Sequence, residues 1–301
     1  MTEPFHISEQ VRSALAEGRG VVALETSVLA HGLPSPSNLE AMTAMTRAIR
    51  EKGAEPGWIA IADGQVLVGT DDDLLVRLAA EGNAMKVARR DVPMAVAGGG
   101  LGATTVSATL WAAHHAGIEV AATGGIGGVH PGSGDVSADL LELARTPGAL
   151  ICAGPKSIID PVATMERLEE LGVGVMGYRS DHLPFFLVLH TNIRLDHVAK
   201  DVSEAAAAAK ARATLGIQST LLICNPIPEE SAMPADEVTT AVRECEKRAQ
   251  DEGIVGNRIT PFLLSCLAER TNGRSTRANL VLLESNARVA AEIAVELARG
   301  A

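Results

Sequence analysis

At 301 residues the chain has room for one large domain or two small ones, and its formal net charge is −11. That charge speaks against a broad nucleic-acid footprint or an anionic-membrane surface. A polar start and the absence of any run of ~18 apolar residues leave no signal peptide or membrane span to expect, so the reading is a soluble cytoplasmic protein.

Residues 20–24 (GVVAL) read as a buried strand ending on Glu25. Ser37 and Glu40 have capping-box spacing, for a helix running to about Lys52 and closed by Gly53. Apolar stretches at 58–62 and 65–68 flank Asp63-Gly64, a two-residue hairpin signal. Residues 71–80 form a helix with acids in its first turn. KVARR at 86–90 is a basic patch in an acidic chain. Residues 94–97 read as a strand before the turn Gly98-Gly99-Gly100. GATTVSATLWAAHHAG then reads as an amphipathic helix, with His114 and His115 as surface or packing residues.

Further strands are expected at 118–122, 149–153, 173–176, 185–189 and 220–224. Helices are expected at 161–171, 205–215, 236–251, 261–270 and 277–299. Apolar residues make up 47% of the chain but aromatics only 2%, so the core is built from Ala, Val, Leu and Ile, as in buried parallel strands under helices. The expected architecture is a single three-layer α/β/α domain over residues 1–301, with a mixed, largely parallel central sheet. Cys152, Cys224, Cys245 and Cys266 are widely spaced in apolar or helical contexts without a zinc pattern, and read as buried free thiols.

Polar residues stand just after the expected strands: Glu25, Thr123, Lys156 and Asn225. In open α/β sheets ligands bind outside the carboxyl ends of the strands. The stretch from Val120 to Asp160 is the richest. Its TGGIGG turn can bring backbone amides close to a phosphate, although a tight strand-to-helix turn accounts for it equally well. It fits neither a Rossmann fingerprint nor a Walker loop. Asp135 and Asp139, four apart, would face one way if both lay on a first helical turn, and could share Mg²⁺ or Mn²⁺. Capping by Asp135 or Ser137 of a helix ending near Arg145 is the simpler account of that spacing.

Lys156 follows an apolar strand, where partial desolvation lowers an amine's pKa and makes it nucleophilic. Pairing with Asp160 is the commoner fate of such a lysine. Glu25, ending a buried strand, suits a carboxyl acting as proton donor; a salt bridge to Arg89 or Arg90 is its alternative. His31 and His130 lie in loops beside these groups, where bracing a loop explains them as well. Asn279 and Asn286 fall seven apart on one helix face. Asn279 offers the donor and acceptor that read an imide edge, while Asn286 is taken as part of a polar face.

Together these stretches resemble the pseudouridine-5′-phosphate glycosidase family, also called the indigoidine synthase A-like family. The motifs are VALETSVLAHGLPSPSNLE, KVARRD, GATTVSAT, ATGGIGGVH, DVSADLLEL, ICAGPKSIID, NPIP, TPFLL and TNGRSTRANLVLLESNA, in order over nearly the whole chain. The resemblance implies reversible cleavage of the carbon–carbon bond of pseudouridine 5′-phosphate to uracil and ribose 5-phosphate, through a lysine Schiff base. It implies Glu25 as proton donor, Lys156 as nucleophile and Asp135 as metal ligand. It further implies substrate contacts at Lys86, Val106, Ser137, Ala138 and Asp139, with Thr123, His130 and Asn279 in the pocket. One divalent metal per subunit, commonly Mn²⁺, and a homotrimer complete the expectation. Pro155 stands where the family more often has alanine.

The chemistry accounts for these residue types. A C-glycoside has no leaving nitrogen to protonate, so a pair of carboxylates does not suffice. An amine on sugar carbon 1 can expel the base as it becomes an iminium, while an acid protonates the base carbon. Another Schiff-base phosphosugar lyase or aldolase, or a non-catalytic phosphosugar-binding protein, are the competing readings.

Overall fold

The apolar runs form strands β1 (Phe5–Ile7), β2 (Val21–Glu25), β3 (Glu55–Ala62), β4 (Gln65–Val68), β5 (Met85–Val87), β6 (Gly102–Thr104), β7 (Val120–Ala122), β8 (Gly148–Cys152), β9 (Val175–Tyr178), β10 (Val198–Ala199) and β11 (Thr220–Cys224). Between and after them run helices α1 (Glu9–Ala16), α2 (Ser37–Glu51), α3 (Asp72–Ala80), α4 (Val92–Gly98), α5 (Val106–His115), α6 (Ala138–Arg145), α7 (Pro161–Glu170), α8 (Val202–Thr214), α9 (Ala235–Asp251), α10 (Ile259–Arg270) and α11 (Arg274–Arg299). This computed structural model describes residues 3–132 and 134–300, and only the backbone of residue 257.

The strands join one sheet in the order β1-β4-β3-β2-β7-β8-β11-β9-β10, with β6 on β3 and β5 on β6. Two pairings are antiparallel, β3 with β4 and β3 with β6; the others are parallel. The expected hairpin is present. Asp63 (φ 51°) and Gly64 (φ 75°) both take the left-handed conformation that a two-residue turn between twisted strands requires.

Alternation along the strands sends residues to two cores. Val22, Leu24, Ile151 and Ile223 pack with Met45 of α2, Ala205 of α8 and Leu282 of α11. Val21, Ala23, Leu150 and Leu222 pack with Val11 of α1, Ala108 of α5 and Leu143 of α6. Every residue of β2 and β8 is buried, as strands covered on both faces must be. The sequence therefore folds into the three layers expected of it. Among the described residues, no helix is long and apolar enough to cross a membrane.

Several local expectations are corrected. Residues 94–97 belong to α4, not a strand; Pro93 sits in its first turn, where a missing N–H costs nothing. No capping box forms at Ser37. α2 starts after Pro36 without a side-chain cap, and Asn38 instead donates to the carbonyls of Leu29 (3.0 Å) and Ala79 (2.9 Å). α5 is buried nearly all round rather than amphipathic, and only its end exposes His114 and His115. Residues 185–189 turn back on themselves, with Val188 donating to Phe185 at 3.0 Å and Phe186 at φ 55°.

Cys152 and Cys224 are buried free thiols facing each other in register on β8 and β11. Cys245 and Cys266 are not free: they form a disulfide joining α9 to α10, with Cα atoms 5.8 Å apart. The packing of two helices brings them within bridging distance, which linear spacing does not reveal. The bridge closes a loop of 21 residues. Removing it with Cys245→Ala/Cys266→Ala is expected to cost about 3 kcal/mol by loop-closure entropy. Urea unfolding of the oxidised wild type against the double variant measures this; superimposable curves would refute it.

Candidate active site

Parallel strands deliver their carboxyl ends to one edge of the sheet, and β2, β7, β8 and β11 end there in Glu25, Thr123, the 153–156 turn and Asn225. A cavity of about 480 Å³ opens at this edge, a size suited to a small-molecule ligand. Glu25, Lys86, Val106, Thr123, His130, Asp135, Ser137, Ala138, Asp139, Lys156 and Asn279 all line it. Residues from the second strand to the last helix thus meet in one place.

Glu25 is 6% exposed. Its Oε1 accepts from the Thr123 hydroxyl and its Oε2 from the Ser27 hydroxyl. The alternative arginine partners are engaged elsewhere: Arg89 pairs with buried Glu142 at 2.7 Å, and Arg90 with Asp91 at 3.6 Å. Hydroxyls can donate or accept, so they orient the carboxyl without fixing its charge.

The lysine turn is set by close packing. Gly154 has φ 76°, and a β-carbon there would lie 2.1 Å from the Pro184 carbonyl oxygen. Pro155 bridges to Ile126, and the Lys156 amide donates to the Ile126 carbonyl at 3.0 Å. Asp160 does not hold Lys156. It caps α7, accepting from the amides of Val162 and Ala163 at 3.0 Å each.

Lys86 lies on β5 beside β6. Burial pushes its pKa below the ordinary lysine value and the Lys156 charge adds to this, while Asp139, Glu25 and Asp135 oppose it. His130 is buried, and its amide donates to the Asp135 carbonyl at 2.9 Å. Burial lowers its imidazole below the usual range; Asp135 counters, and both lysines reinforce the fall.

The two aspartates are not a pair on one helical turn. Asp135 precedes α6 in the loop, whereas Asp139 lies within α6. Asp139 Oδ1 accepts from the Ser107 amide (3.1 Å) and Oδ2 from the Gly127 amide (3.0 Å). Ser137 caps α6 by accepting from the Asp139 amide at 3.2 Å. The glycine turn is tight for the same reason: a β-carbon on Gly127 would stand 2.4 Å from Ser137 Oγ. The Gly127 amide is therefore committed to Asp139. Asp139→Asn would turn an amide NH₂ toward one of these N–H donors. The expected loss is about 1–3 kcal/mol of stability, read as a lower melting temperature in ligand-free protein; an unchanged melt would remove Asp139's bracing role.

Three neighbours escaped the sequence reading as site components, and a fourth, His31, was placed beside Glu25 there without a role. Asn286 is fully buried, not part of a polar surface face. Its Nδ2 donates to the Thr123 carbonyl (2.8 Å) and the Gly124 carbonyl (3.2 Å), and its Oδ1 accepts from Asn225 Nδ2 at 2.9 Å. Ser27 holds Glu25, and Phe186 packs its ring where a β-carbon on Gly125 would fall, 2.8 Å away. His31, in the turn Val28–Gly32 after β2, lines the cavity.

This fold, with an acid at a strand end and two lysines in the same cavity, is that of a class of protein: the family described as indigoidine synthase A like protein, whose profile matches residues 10–296. The chain belongs to that family. It is 44% identical over 300 residues to the pseudouridine-5′-phosphate glycosidase of Caldanaerobacter subterraneus subsp. tengcongensis, covering 99% of this chain and 98% of the relative. The protein of the same name from Myxococcus xanthus is 48% identical, covering 98% of this chain and 99% of its own. Among solved structures, the prealnumycin C-glycosynthase AlnA in complex with ribulose 5-phosphate superposes with a TM-score of 0.91 at 38% identity, covering 100% and 99% of the two chains. An indigoidine synthase A-like protein from Thermotoga maritima gives 0.90 at 38% identity, covering 98% and 97%.

Proposed function

We infer that the chain is a C-glycosidase that cleaves pseudouridine 5′-phosphate to uracil and ribose 5-phosphate. Full-length relatives carry that name. A neighbour of the same fold is a C-glycosynthase that holds ribulose 5-phosphate, which pairs C-glycosidic chemistry with a phosphosugar. The observation that carries the reading is Glu25 and Lys156 in one cavity with Lys86.

In this reading the Lys156 amine adds to sugar carbon 1 as the ring oxygen leaves and takes a proton. Glu25 then delivers a proton to carbon 5 of the base. The Lys156 nitrogen pair forms the C=N bond, and the electrons of the carbon–carbon bond return to the ring as uracil departs. Water hydrolyses the Schiff base and releases ribose 5-phosphate. Run backward, the same steps join uracil to the sugar phosphate.

Lys86 is the cation proposed for the phosphate. Lys86→Met is expected to remove a charge-assisted contact of about 1.5–3 kcal/mol, raising KM for the phosphorylated substrate about 10–150-fold. A KM that does not move would place the phosphate elsewhere.

A divalent metal fits the donor chemistry in one form. Among the described residues no cluster of three or more His, Cys, Asp or Glu could enclose an ion. Mg²⁺-like ions, however, are commonly held by one or two carboxylates, waters and a substrate phosphate. Asp135, which lines the cavity, is the carboxylate proposed for that role on the family resemblance. The bound ion would supply charge to offset the phosphate. A homotrimer is proposed on the family resemblance alone, and light scattering measures it.

The test is chromatographic detection of uracil from pseudouridine 5′-phosphate, with Mn²⁺ and with chelator. Folded protein that releases none ends this reading. Turnover of aldehyde phosphates lacking any base would favour a phosphosugar lyase or aldolase instead.

A further inference from the structure

Two polar atoms in the cavity wall, His31 Nε2 and Asn279 Oδ1, are buried without a hydrogen-bond partner. Buried polar groups are as a rule paired, so each such exception calls for a reason. Asn279 is 7% exposed on α11, and its Oδ1 lies 3.3 Å from where a β-carbon on Gly124 would stand. It thus sits over the glycine turn that follows β7.

His31 approaches from the turn after β2. Burial, and then the Lys86 charge, hold its imidazole below the ordinary histidine range, while the Ala84 carbonyl works the other way. With its proton on Nδ1, the neutral imidazole presents the unpartnered Nε2 as a bare acceptor. The cavity therefore presents two acceptors, each wanting a donor.

They stand at one end of the site. Both residues also line an adjoining cavity of about 230 Å³, together with Phe186, Pro261 and Leu264, and neither Lys86 nor Lys156 lines it. The anionic part of a substrate is drawn to the lysines. An aromatic ring, apolar side chains and two acceptors suit a flat base that carries N–H groups.

We propose that His31 Nε2 and Asn279 Oδ1 are the specificity pair for the base, each accepting one of the two ring N–H groups of a C-linked uracil. This deepens the glycosidase reading and rests on it. A uracil joined through carbon 5 keeps hydrogen on both ring nitrogens. A uracil joined through nitrogen has only one N–H left. Two acceptors match the first base and leave one acceptor unpaired with the second. A site built to bond a donor rejects the analogue lacking it far more strongly than an apolar pocket rejects a lost methylene.

The experiment compares kcat/KM for pseudouridine 5′-phosphate and its 1-methyl and 3-methyl derivatives, on wild type, His31→Ala and Asn279→Ala. Wild type is expected to disfavour each derivative by about a hundredfold or more. Each alanine variant should shrink one of the two ratios to less than about tenfold and leave the other. His31→Gln, which returns an acceptor near the Nε2 position, should restore the ratio lost in His31→Ala. Should an alanine variant fold poorly, His31→Phe and Asn279→Leu fill the space without an acceptor and are read in the same way. Equal turnover of the methylated substrates by wild type, or ratios unchanged in every variant, overturns the proposal. Wild type that releases no uracil from the parent substrate ends the glycosidase reading itself; release without discrimination ends only this pairing.

Discussion

Lys156→Ala is expected to lose on the order of 10³–10⁶-fold in turnover, the scale seen when a covalent nucleophile is removed. The competing amine is close by. Lys86 lines the same cavity, and burial together with the Lys156 charge depresses its pKa, so it too is chemically able to add to a sugar carbon. The geometry of the turn favours Lys156, because Gly154 and Pro155 hold its backbone against Ile126 at the end of β8. Borohydride treatment with ribose 5-phosphate decides between them. Wild type and Lys86→Met should gain the mass of one reduced sugar phosphate, and Lys156→Ala should not. An adduct that survives in Lys156→Ala and disappears in Lys86→Met would exchange the two roles. Lys156→Arg should be as inactive as alanine, since a guanidinium remains protonated and cannot act as the nucleophile.

The sheet was legible because its strands are short apolar runs ending on polar residues, a pattern that period and composition both support. Where the reading failed, a local signal had two physical outcomes. MAVA at 94–97 is apolar enough for a strand, yet Pro93 in a helical first turn costs nothing and the run became α4. Ser37 and Glu40 have capping-box spacing, but α2 enters through Pro36, and the tertiary bonds of Asn38 fix that end. Cys245 and Cys266 meet only because α9 and α10 pack together.

The site divides in the same way. Glu25 and Lys156 were legible one by one as strand-end residues with unusual chemistry, and the family motifs tied them together. What stayed hidden were the partners that cross the chain. Asn286 reaches back 163 residues to the Thr123 carbonyl, and Thr123 reaches 98 residues to Glu25. Asp139 was expected to touch substrate, and its spacing from Asp135 allowed a shared cation only as the less simple account. Its two backbone donors come from a helix start and a glycine turn that no spacing rule connects. The missing information was which hydrogen-bond valences the fold had already filled.

Glu25→Gln is expected to cut uracil release by about 10²–10⁴-fold, the usual contribution of a positioned general acid. The substitution is nearly isosteric, and the hydroxyls of Ser27 and Thr123 can rotate to meet an amide as readily as a carboxyl. The fold and the cavity should therefore persist, and loss of stability would not explain the defect. Trapping with ribose 5-phosphate and borohydride should still label Lys156 in this variant, because forming the Schiff base requires no proton at the base carbon. Wild type turned over in D₂O should give uracil bearing one deuterium at carbon 5, and the remaining activity of Glu25→Gln should show the larger solvent isotope effect, since proton delivery then limits the rate. Wild-type rates in Glu25→Gln would assign the acid to another group. A variant that neither releases uracil nor traps sugar phosphate would mean that Glu25 acts before the carbon–carbon bond breaks, at the opening of the sugar ring, where the departing ring oxygen also needs a proton.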